Sequence, residues 1–189
     1  MTAFAYFILA AGFLFWVAPF FLAQRRRLKT AVTLDRRARW GILLQGISYA
    51  VLLQGNSWLR RPQDWRVLLS ILFFALAGTL SWTSVRALGR QWRVDAGLNA
   101  DHQLVRSGPY RLARHPIYTS MLCLLLGVGW MISPWPLLVL SMLLFLMGTE
   151  IRVHIEDTLL ASRFDGEFQA YRRTVPAYIP FTRKLMPVE

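Results

Sequence analysis

An uninterrupted apolar run near the start of the chain restricts the fold more than any other feature of the sequence. Residues 3 to 23 contain no charged side chain. A helix of about 20 apolar residues is long enough to cross the hydrocarbon core of a bilayer. A cleaved signal peptide would begin with a basic segment and have a shorter apolar core, and neither is present. The run therefore predicts a membrane-spanning helix.

Four further apolar segments predict an all-α integral membrane protein with about five transmembrane helices. They cover residues 40–55, 67–88, 117–132 and 137–151. The second of these segments carries Gln45 and Gln54, whose amides need partners on neighbouring helices. The sequence SPWP at 133–136 has two prolines and no charge, which predicts a tight hairpin between the last two spans.

Several polar side chains lie toward the end of the third segment, which predicts that this helix leaves the lipid there and begins to line a site. They are Thr79, Ser81, Thr83 and Ser84. The single cysteine, Cys123, excludes an internal disulfide and lies in an apolar run, so we expect it to be a packing residue.

The distribution of basic residues predicts the orientation in the membrane. Lys and Arg number 22 against 10 acidic residues, in a chain that is 55% apolar. They interrupt the apolar runs instead of forming a basic domain, which favours membrane topology over nucleic-acid binding. Loops 24–39, 86–115 and 152–189 hold seven, six and six of them, whereas 56–66 holds three and 133–136 none. We expect a bacterial inner-membrane protein with its N-terminus outside and its C-terminus in the cytoplasm.

The polar segment HQLVRSGPYRLARHPIY, residues 102–118, is predicted to be cytoplasmic and functional. Gly108-Pro109 and Arg114-His115-Pro116 fix turns in its backbone. Turns expose N–H and C=O groups, which suit the edges of a purine or an amino-acid moiety. His115 has no second and third ligand at useful spacing, so we expect no metal site and a pocket role for this residue.

Arg152 and Glu156 form a second constellation, where the fifth span ends. Their i, i+4 spacing allows an ion pair on one helix face. Such a pair is either a surface salt bridge or part of a site, and its position at the end of a membrane helix favours a site. The absence of P-loop, GxGxxG and Ser-His-Asp patterns argues against ATPase, Rossmann and hydrolase functions.

Together these motifs resemble the isoprenylcysteine carboxyl methyltransferases, a family of integral membrane enzymes. The resemblance covers residues 88–180 and rests on the 102–118 segment, on Arg152 with Glu156 and Asp157, on the Phe164 to Tyr171 segment, and on the terminal VPAYIP. Length and hydropathy predict a single membrane domain over residues 1–189, with three spans in 1–88. The resemblance implies that 89–189 is the cofactor-binding, catalytic half, with a cytoplasmic cofactor-binding loop and a C-terminal amphipathic helix.

The resemblance implies S-adenosylmethionine as cofactor and assigns roles by position. His102, Gln103, Leu104 and Val105 would line the cofactor with Tyr110, and His115, Pro116, Ile117 and Tyr118 would clasp it. Glu156 would also contact it, and Arg152 would hold a substrate carboxylate. Asp95 stands where the family commonly has Gln, and Phe164-Asp165-Gly166 replaces the usual Phe-Gly.

The function expected from these residues is methylation of a lipophilic acceptor, most readily a carboxylate of an isoprenylcysteine-like molecule. The expected partners are that acceptor and membrane lipid, with no nucleic acid. A carboxylate is already ionised and needs no base, so positioning would supply most of the catalysis. Three alternatives stay open: methylation of a phospholipid amine or small thiol, an NADPH-dependent membrane reductase of related fold, and a non-catalytic protein that retains the scaffold.

Overall fold

A computed structural model describes residues 2–24, 33–54, 61–93, 97–98 and 102–179. Five α-helices lie in this part of the chain: α1 Ala3–Gln24, α2 Ala38–Leu52, α3 Asp64–Leu88, α4 Pro116–Ile132 and α5 Trp135–Thr174. Short 3-10 helices occupy Gly89–Gln91 and Gly108–Arg111. A two-residue antiparallel ladder joins β1 Thr33–Leu34 to β2 Gly97–Leu98.

The helices confirm an all-α integral membrane protein. Three of them are long and apolar enough to cross a bilayer: Ala3–Ala23, Asp64–Gln91 and Trp135–Thr174. Helix α4 is apolar but shorter, with 17 residues, and α2 has 15. At 1.5 Å per residue these two helices measure roughly 22 to 26 Å. The five predicted segments thus coincide with the five helices, and three of them have full membrane-spanning length.

Close approach at glycines sets the packing of α2 against α5. A Cβ atom on Gly41 would lie 2.5 Å from the backbone oxygen of Gly148, and one on Gly148 would lie 2.7 Å from the backbone oxygen of Gly41. The two backbones therefore nearly touch. This contact brings the buried side chain of Gln45, one turn further along α2, against α5. There its amide nitrogen donates to the Thr149 hydroxyl at 2.9 Å, the kind of partner expected for this amide.

The connection between α4 and α5 is as tight as predicted. Only Ser133 and Pro134 separate the helices, and the Ser133 hydroxyl donates to the Leu52 carbonyl at 2.6 Å. The hairpin prediction was incomplete, however, because α4 packs mainly against α3 and α5 packs mainly against α2. Beyond the turn, Leu125 and Phe145 are fully buried in the core that these helices share.

A cavity of about 570 Å³ is lined by residues of α1, α2, α4 and α5, among others. The polar residues at the end of α3 do not line it, so the prediction that this part of α3 begins to line a site was wrong. Ser81 is buried and donates to the Trp16 carbonyl at 2.9 Å, which joins α3 to α1. The Thr83 hydroxyl donates to the Thr79 carbonyl of its own helix at 2.7 Å. Hydroxyls in apolar helices are commonly satisfied in these two ways. Cys123 is partly buried and packs against the cluster around Phe74, as expected of a packing residue.

Helix α5 continues well beyond the apolar span and carries the amphipathic segment as its second half. Its helical geometry is interrupted at Asp165, where φ is +35° and ψ is −114°. This residue is the additional one between Phe164 and Gly166. A positive φ is unusual for a residue with a Cβ atom, although Asp tolerates it better than most. The extra residue therefore interrupts the helical geometry only locally, and the chain on both sides of Asp165 is helical.

Candidate active site

A cavity of about 570 Å³ lies between the helices and the polar 102–118 segment. Helices α1, α2, α4 and α5 all contribute to its walls. By its apolar side we mean its apolar and aromatic lining residues, among them Trp16, Val17, Phe20, Phe21, Ile42 and Tyr49. By its polar side we mean its polar and charged lining residues, among them Arg93, His102, His115, Arg152 and Glu156. The lining thus combines apolar surface, which suits lipid, with groups that suit a polar ligand.

The polar segment and the chain after α5 are joined directly. The backbone N–H groups of Arg114 and His115 donate to the carbonyls of Pro176 and Ala177 at 2.9 and 2.7 Å. The Tyr171 hydroxyl donates to the Tyr110 carbonyl at 2.5 Å. Two segments about 60 residues apart therefore form one wall of the cavity, as the predicted topology required.

His115 lies between two carboxylates at the start of α4. Its Nε2 atom is 2.9 Å from Oδ1 of Asp157, and its Nδ1 atom is 3.2 Å from Oε2 of Glu156. The imidazole can donate to both carboxylates only when both nitrogens carry hydrogen. Burial alone would lower the pKa of His115, but the hydrogen bonds to Asp157 and Glu156 outweigh burial and raise this pKa. The arrangement therefore favours the imidazolium form.

Asp157 also accepts a hydrogen bond from Arg114, whose Nη2 atom lies 2.7 Å from Oδ2. Both side chains are buried. The Nη1 atom of Arg114 donates to the Val175 carbonyl at 2.5 Å. Removal of one member of a buried, hydrogen-bonded pair leaves a charge without compensation, which is strongly destabilising. Asp157 thus fixes the polar segment to α5 without lining the cavity.

Tyr118 and Glu156 meet at the cavity wall, where the phenol hydroxyl donates to Oε1 of Glu156. The same carboxylate oxygen is 3.5 Å from Nη2 of Arg152. The Arg152 guanidinium carbon lies 5.0 Å from the centre of the Tyr118 ring, within range of a cation–π contact. Gln45 completes this group, because its Oε1 atom is 3.5 Å from Nη1 of Arg152.

Most residues to which the sequence assigned a role line this cavity. They are His102, Gln103, Leu104, Val105, Tyr110, His115, Ile117, Tyr118, Arg152 and Glu156. Pro116 is fully buried at the first position of α4, and it is not among the cavity-lining residues. Its contribution is to start the helix, for which its fixed φ and missing N–H are suited. Asp95 lies outside the described residues.

Sequence reasoning missed several residues of the site. Gln45 and Tyr49 on α2 and Trp92 and Arg93 after α3 line the cavity. Gln45 carried a usable signal, since a buried amide in a membrane helix needs a partner. Nothing in the local sequence distinguished the other three. Asp157 was noted beside Glu156 but given no role, although its buried contacts with Arg114 and His115 join the polar segment to α5.

A family model described as phospholipid methyltransferase matches residues 65–167, more than half of the chain. The cobalt-zinc-cadmium resistance protein CzcN of Cupriavidus metallidurans is 31% identical over 82% of this chain and 68% of that protein. The nickel-cobalt-cadmium resistance protein NccN of Alcaligenes xylosoxydans is 28% identical over 84% of this chain and 71% of that protein. A protein-S-isoprenylcysteine O-methyltransferase of Schizosaccharomyces pombe is 32% identical over 43% of this chain and 35% of that protein.

The helical fold, the cavity and these matches define a membrane methyltransferase. The chain belongs to the phospholipid methyltransferase family. The matched residues include the 102–118 segment and both Arg152 and Glu156. The family resemblance inferred from these motifs is therefore confirmed.

Proposed function

We propose that this protein transfers a methyl group from S-adenosylmethionine to a lipophilic acceptor, most readily a carboxylate of an isoprenylcysteine-like molecule. The observation that carries this proposal is the position of Arg152. Its guanidinium lies at the cavity wall, 3.5 Å from Oε1 of Gln45 and 3.5 Å from Oε1 of Glu156. A planar guanidinium can hold a carboxylate through two parallel hydrogen bonds.

The residues of the polar side fit the cofactor. A cavity of about 570 Å³ is within the usual range for small-molecule sites. Residues 102–105 line it, and so do His115, Ile117 and Tyr118. When bound, S-adenosylmethionine supplies an electrophilic methyl group on a cationic sulfonium. Glu156 lines the cavity and offers the negative charge that a cation prefers.

The balance of charge in the buried cluster supports an anionic acceptor. Asp157 and Glu156 contribute two negative charges, whereas Arg114, Arg152 and the imidazolium of His115 contribute three positive ones. Arg114, His115 and Arg152 all line the cavity, and Asp157 bonds the first two. A carboxylate bound beside Arg152 would lie next to this positive charge. Because such a nucleophile is already ionised, orientation by Arg152 is the main requirement, and positioning can lower a barrier by roughly 7 to 11 kcal/mol.

The apolar side suits the hydrocarbon part of the acceptor. Trp16, Val17 and Phe20 of α1 face it, together with Ile42 and Tyr49 of α2. Both α1 and α2 belong to the membrane-embedded half of the protein. We infer that the hydrocarbon tail enters from the lipid between these helices, while the cofactor enters from the aqueous side.

An amine or thiol acceptor is a second candidate, favoured by one feature. Tyr118, Glu156, His115 and Asp157 form a continuous chain of hydrogen bonds that begins at the cavity. An amine or thiol must lose its proton, and Glu156 could receive it. The family description, phospholipid methyltransferase, names an acceptor of a different class from a prenylated carboxylate.

We also propose a bacterial inner-membrane location with the C-terminus in the cytoplasm. Exposed arginines surround the polar segment and the second half of α5, among them Arg106, Arg111, Arg163, Arg172 and Arg173. This position agrees with the positive-inside rule. Labelling of single cysteines introduced at Arg173 and Arg61 would place each residue on one side of the membrane.

Ligand-dependent thermal stability of the detergent-solubilised protein tests the cofactor. Stabilisation by S-adenosylmethionine or S-adenosylhomocysteine, and none by NADPH, is expected, since a ligand that binds only the native state raises its stability. Incubation with methyl-labelled cofactor and a lipid extract, followed by identification of the labelled product, then tests the acceptor. An alkali-labile ester is expected. A labelled amine would favour the second candidate, and stabilisation by NADPH alone would favour a reductase.

A further inference from the structure

Helix α2 contacts both the aliphatic part and the guanidinium group of the Arg152 side chain. A Cβ atom on Gly41 would lie 2.5 Å from Cγ of Arg152, so the aliphatic stem lies directly on the α2 backbone. One helical turn further, Oε1 of Gln45 is 3.5 Å from Nη1 of the guanidinium. Gly41 and Gln45 are i and i+4, and therefore they present one face of α2 to this arginine.

Gln45 is itself held in a single orientation. Its side chain is 2% exposed, and its Nε2 atom donates to the hydroxyl of Thr149 at 2.9 Å. Thr149 is fully buried on α5. Because the amide nitrogen is committed to Thr149, the amide oxygen is directed toward Arg152. The assignment of oxygen and nitrogen in this amide thus follows from its partners.

An amide and a carboxylate at this position would have different consequences. An amide oxygen accepts a hydrogen bond from a guanidinium without neutralising it. A carboxylate would pair with the guanidinium and compete with any anionic ligand. Glu156 already contributes one negative charge 3.5 Å from Arg152, but the same carboxylate also bonds Tyr118 and His115. The neutral side chain at position 45 therefore preserves the positive charge of Arg152 toward the cavity.

We propose that Gln45 is a positioning and specificity-determining residue that orients Arg152 and sets the preference of the site for an anionic acceptor. This inference rests on the proposed function, because it assigns to Arg152 the acceptor carboxylate. It extends the acceptor site to α2, which lies outside the residues that the family model matches. Gln45 acts through Arg152 and is not a catalytic residue.

Isothermal titration with a matched pair of ligands tests the proposal directly. Decanoate and decan-1-ol have the same chain and differ in charge, so their affinity ratio reports the preference for an anion. The wild-type protein in maltoside micelles is expected to bind decanoate at least ten-fold more tightly. The affinities of Gln45→Glu for decanoate and decan-1-ol should differ by no more than about two-fold. In Gln45→Leu the ratio of the two affinities should fall at least three-fold below that of the wild type. Gln54→Leu is the matched control, since Gln54 is an exposed amide just beyond the end of α2 that bonds the Ala50 carbonyl.

Equal affinity of the wild type for the two ligands would overturn the proposal. An unchanged affinity ratio in Gln45→Glu would also overturn it, as would a fall of this ratio in Gln54→Leu as large as that in Gln45→Leu. If the Gln45 variants fail to fold, Thr149→Val replaces them as the test. This variant removes the hydroxyl that holds the Gln45 amide, so the ratio of decanoate to decan-1-ol affinity should fall at least two-fold. An unchanged ratio in Thr149→Val would overturn the proposal. Methyl transfer is assayed separately. Charge preference that depends on Gln45, with no methyl transfer to carboxylates, would refute the proposed reaction and leave the role of Gln45 intact.

Discussion

Tyr118 donates its phenolic hydrogen to Glu156 across 38 positions of sequence, and this bond joins the start of α4 to α5 at the wall of the cavity. The same carboxylate contacts His115 and lies near Arg152. One side chain of α5 therefore contacts the polar segment and Arg152 and lines the cavity.

Arg152→Ala is expected to abolish methyl transfer while leaving the affinity for S-adenosylhomocysteine within a few-fold. Glu156→Ala is expected to weaken that affinity itself, because both residues line the cavity and Glu156 is the proposed contact of the cationic cofactor, whereas Arg152 is that of the acceptor. Isothermal titration and an activity assay on both variants measure this division of roles. Arg173→Ala, at an exposed arginine on the same helix, is the control and should change neither quantity. Equal loss of cofactor binding in the two site variants would contradict the assignment.

Asp157→Ala is expected to lower the free energy of unfolding by about 3 to 5 kcal/mol, because it leaves buried Arg114 without its carboxylate. Glu167→Ala removes the carboxylate from an exposed ion pair with Arg106 and should cost no more than about 1 kcal/mol. Denaturant unfolding in mixed micelles compares the two variants. Similar stability of both would mean that the buried pair does not hold the polar segment to α5.

The stability of the protein is expected to fall as the pH rises above neutrality. The pKa of His115 is raised in the folded state, so the stabilisation from its imidazolium is complete below the unfolded value of about 6.5 and is lost as the pH rises through the folded value. Glu156, Asp157, Tyr118 and the nearby arginines surround this imidazole. The unfolding midpoint, measured from pH 6 to pH 9, should decline in the wild type and stay flatter in His115→Gln. A parallel decline in both proteins would refute this origin.

Gly41→Ala is expected to destabilise the protein by roughly 1 to 3 kcal/mol, the usual range for overpacking. The added methyl group would meet the backbone oxygen of Gly148 and the stem of Arg152, both 2.5 Å away, and the backbone cannot yield without separating α2 from α5. Gly46→Ala on the same helix is the matched control, since nothing lies within 4 Å of the added atom. Alanine favours helix over glycine by up to about 1 kcal/mol, so this control should be neutral or slightly stabilised. Thermal unfolding of both variants tests the difference.

The sequence determined the class of the protein, the positions of its helices and the family to which it belongs. Apolar length and turn-forming prolines are local properties, and they predicted the starts of all five helices and the ends of the first four within a few residues. The fifth apolar segment ends near residue 151, whereas α5 continues to Thr174. The 102–118 motif and the Arg152–Glu156 spacing were also readable locally. The roles assigned to these residues stay predictions. Local pattern misled where polar side chains of α3 bond backbone carbonyls and do not line the cavity, as with Ser81. It also assigned a cofactor contact to Pro116, which does not line the cavity.

Only the tertiary structure decided which residues complete the site. Gln45 reaches Arg152 across 107 positions because two glycines let α2 and α5 approach closely, and no local pattern encodes that crossing. Asp157 acquires its role in the same way, from an arginine and a histidine that lie more than 40 residues earlier. Hydrogen bonds between distant segments depend on the positions of backbones, and packing sets those positions. The chemistry of each side chain was visible in the sequence, whereas its partner was not.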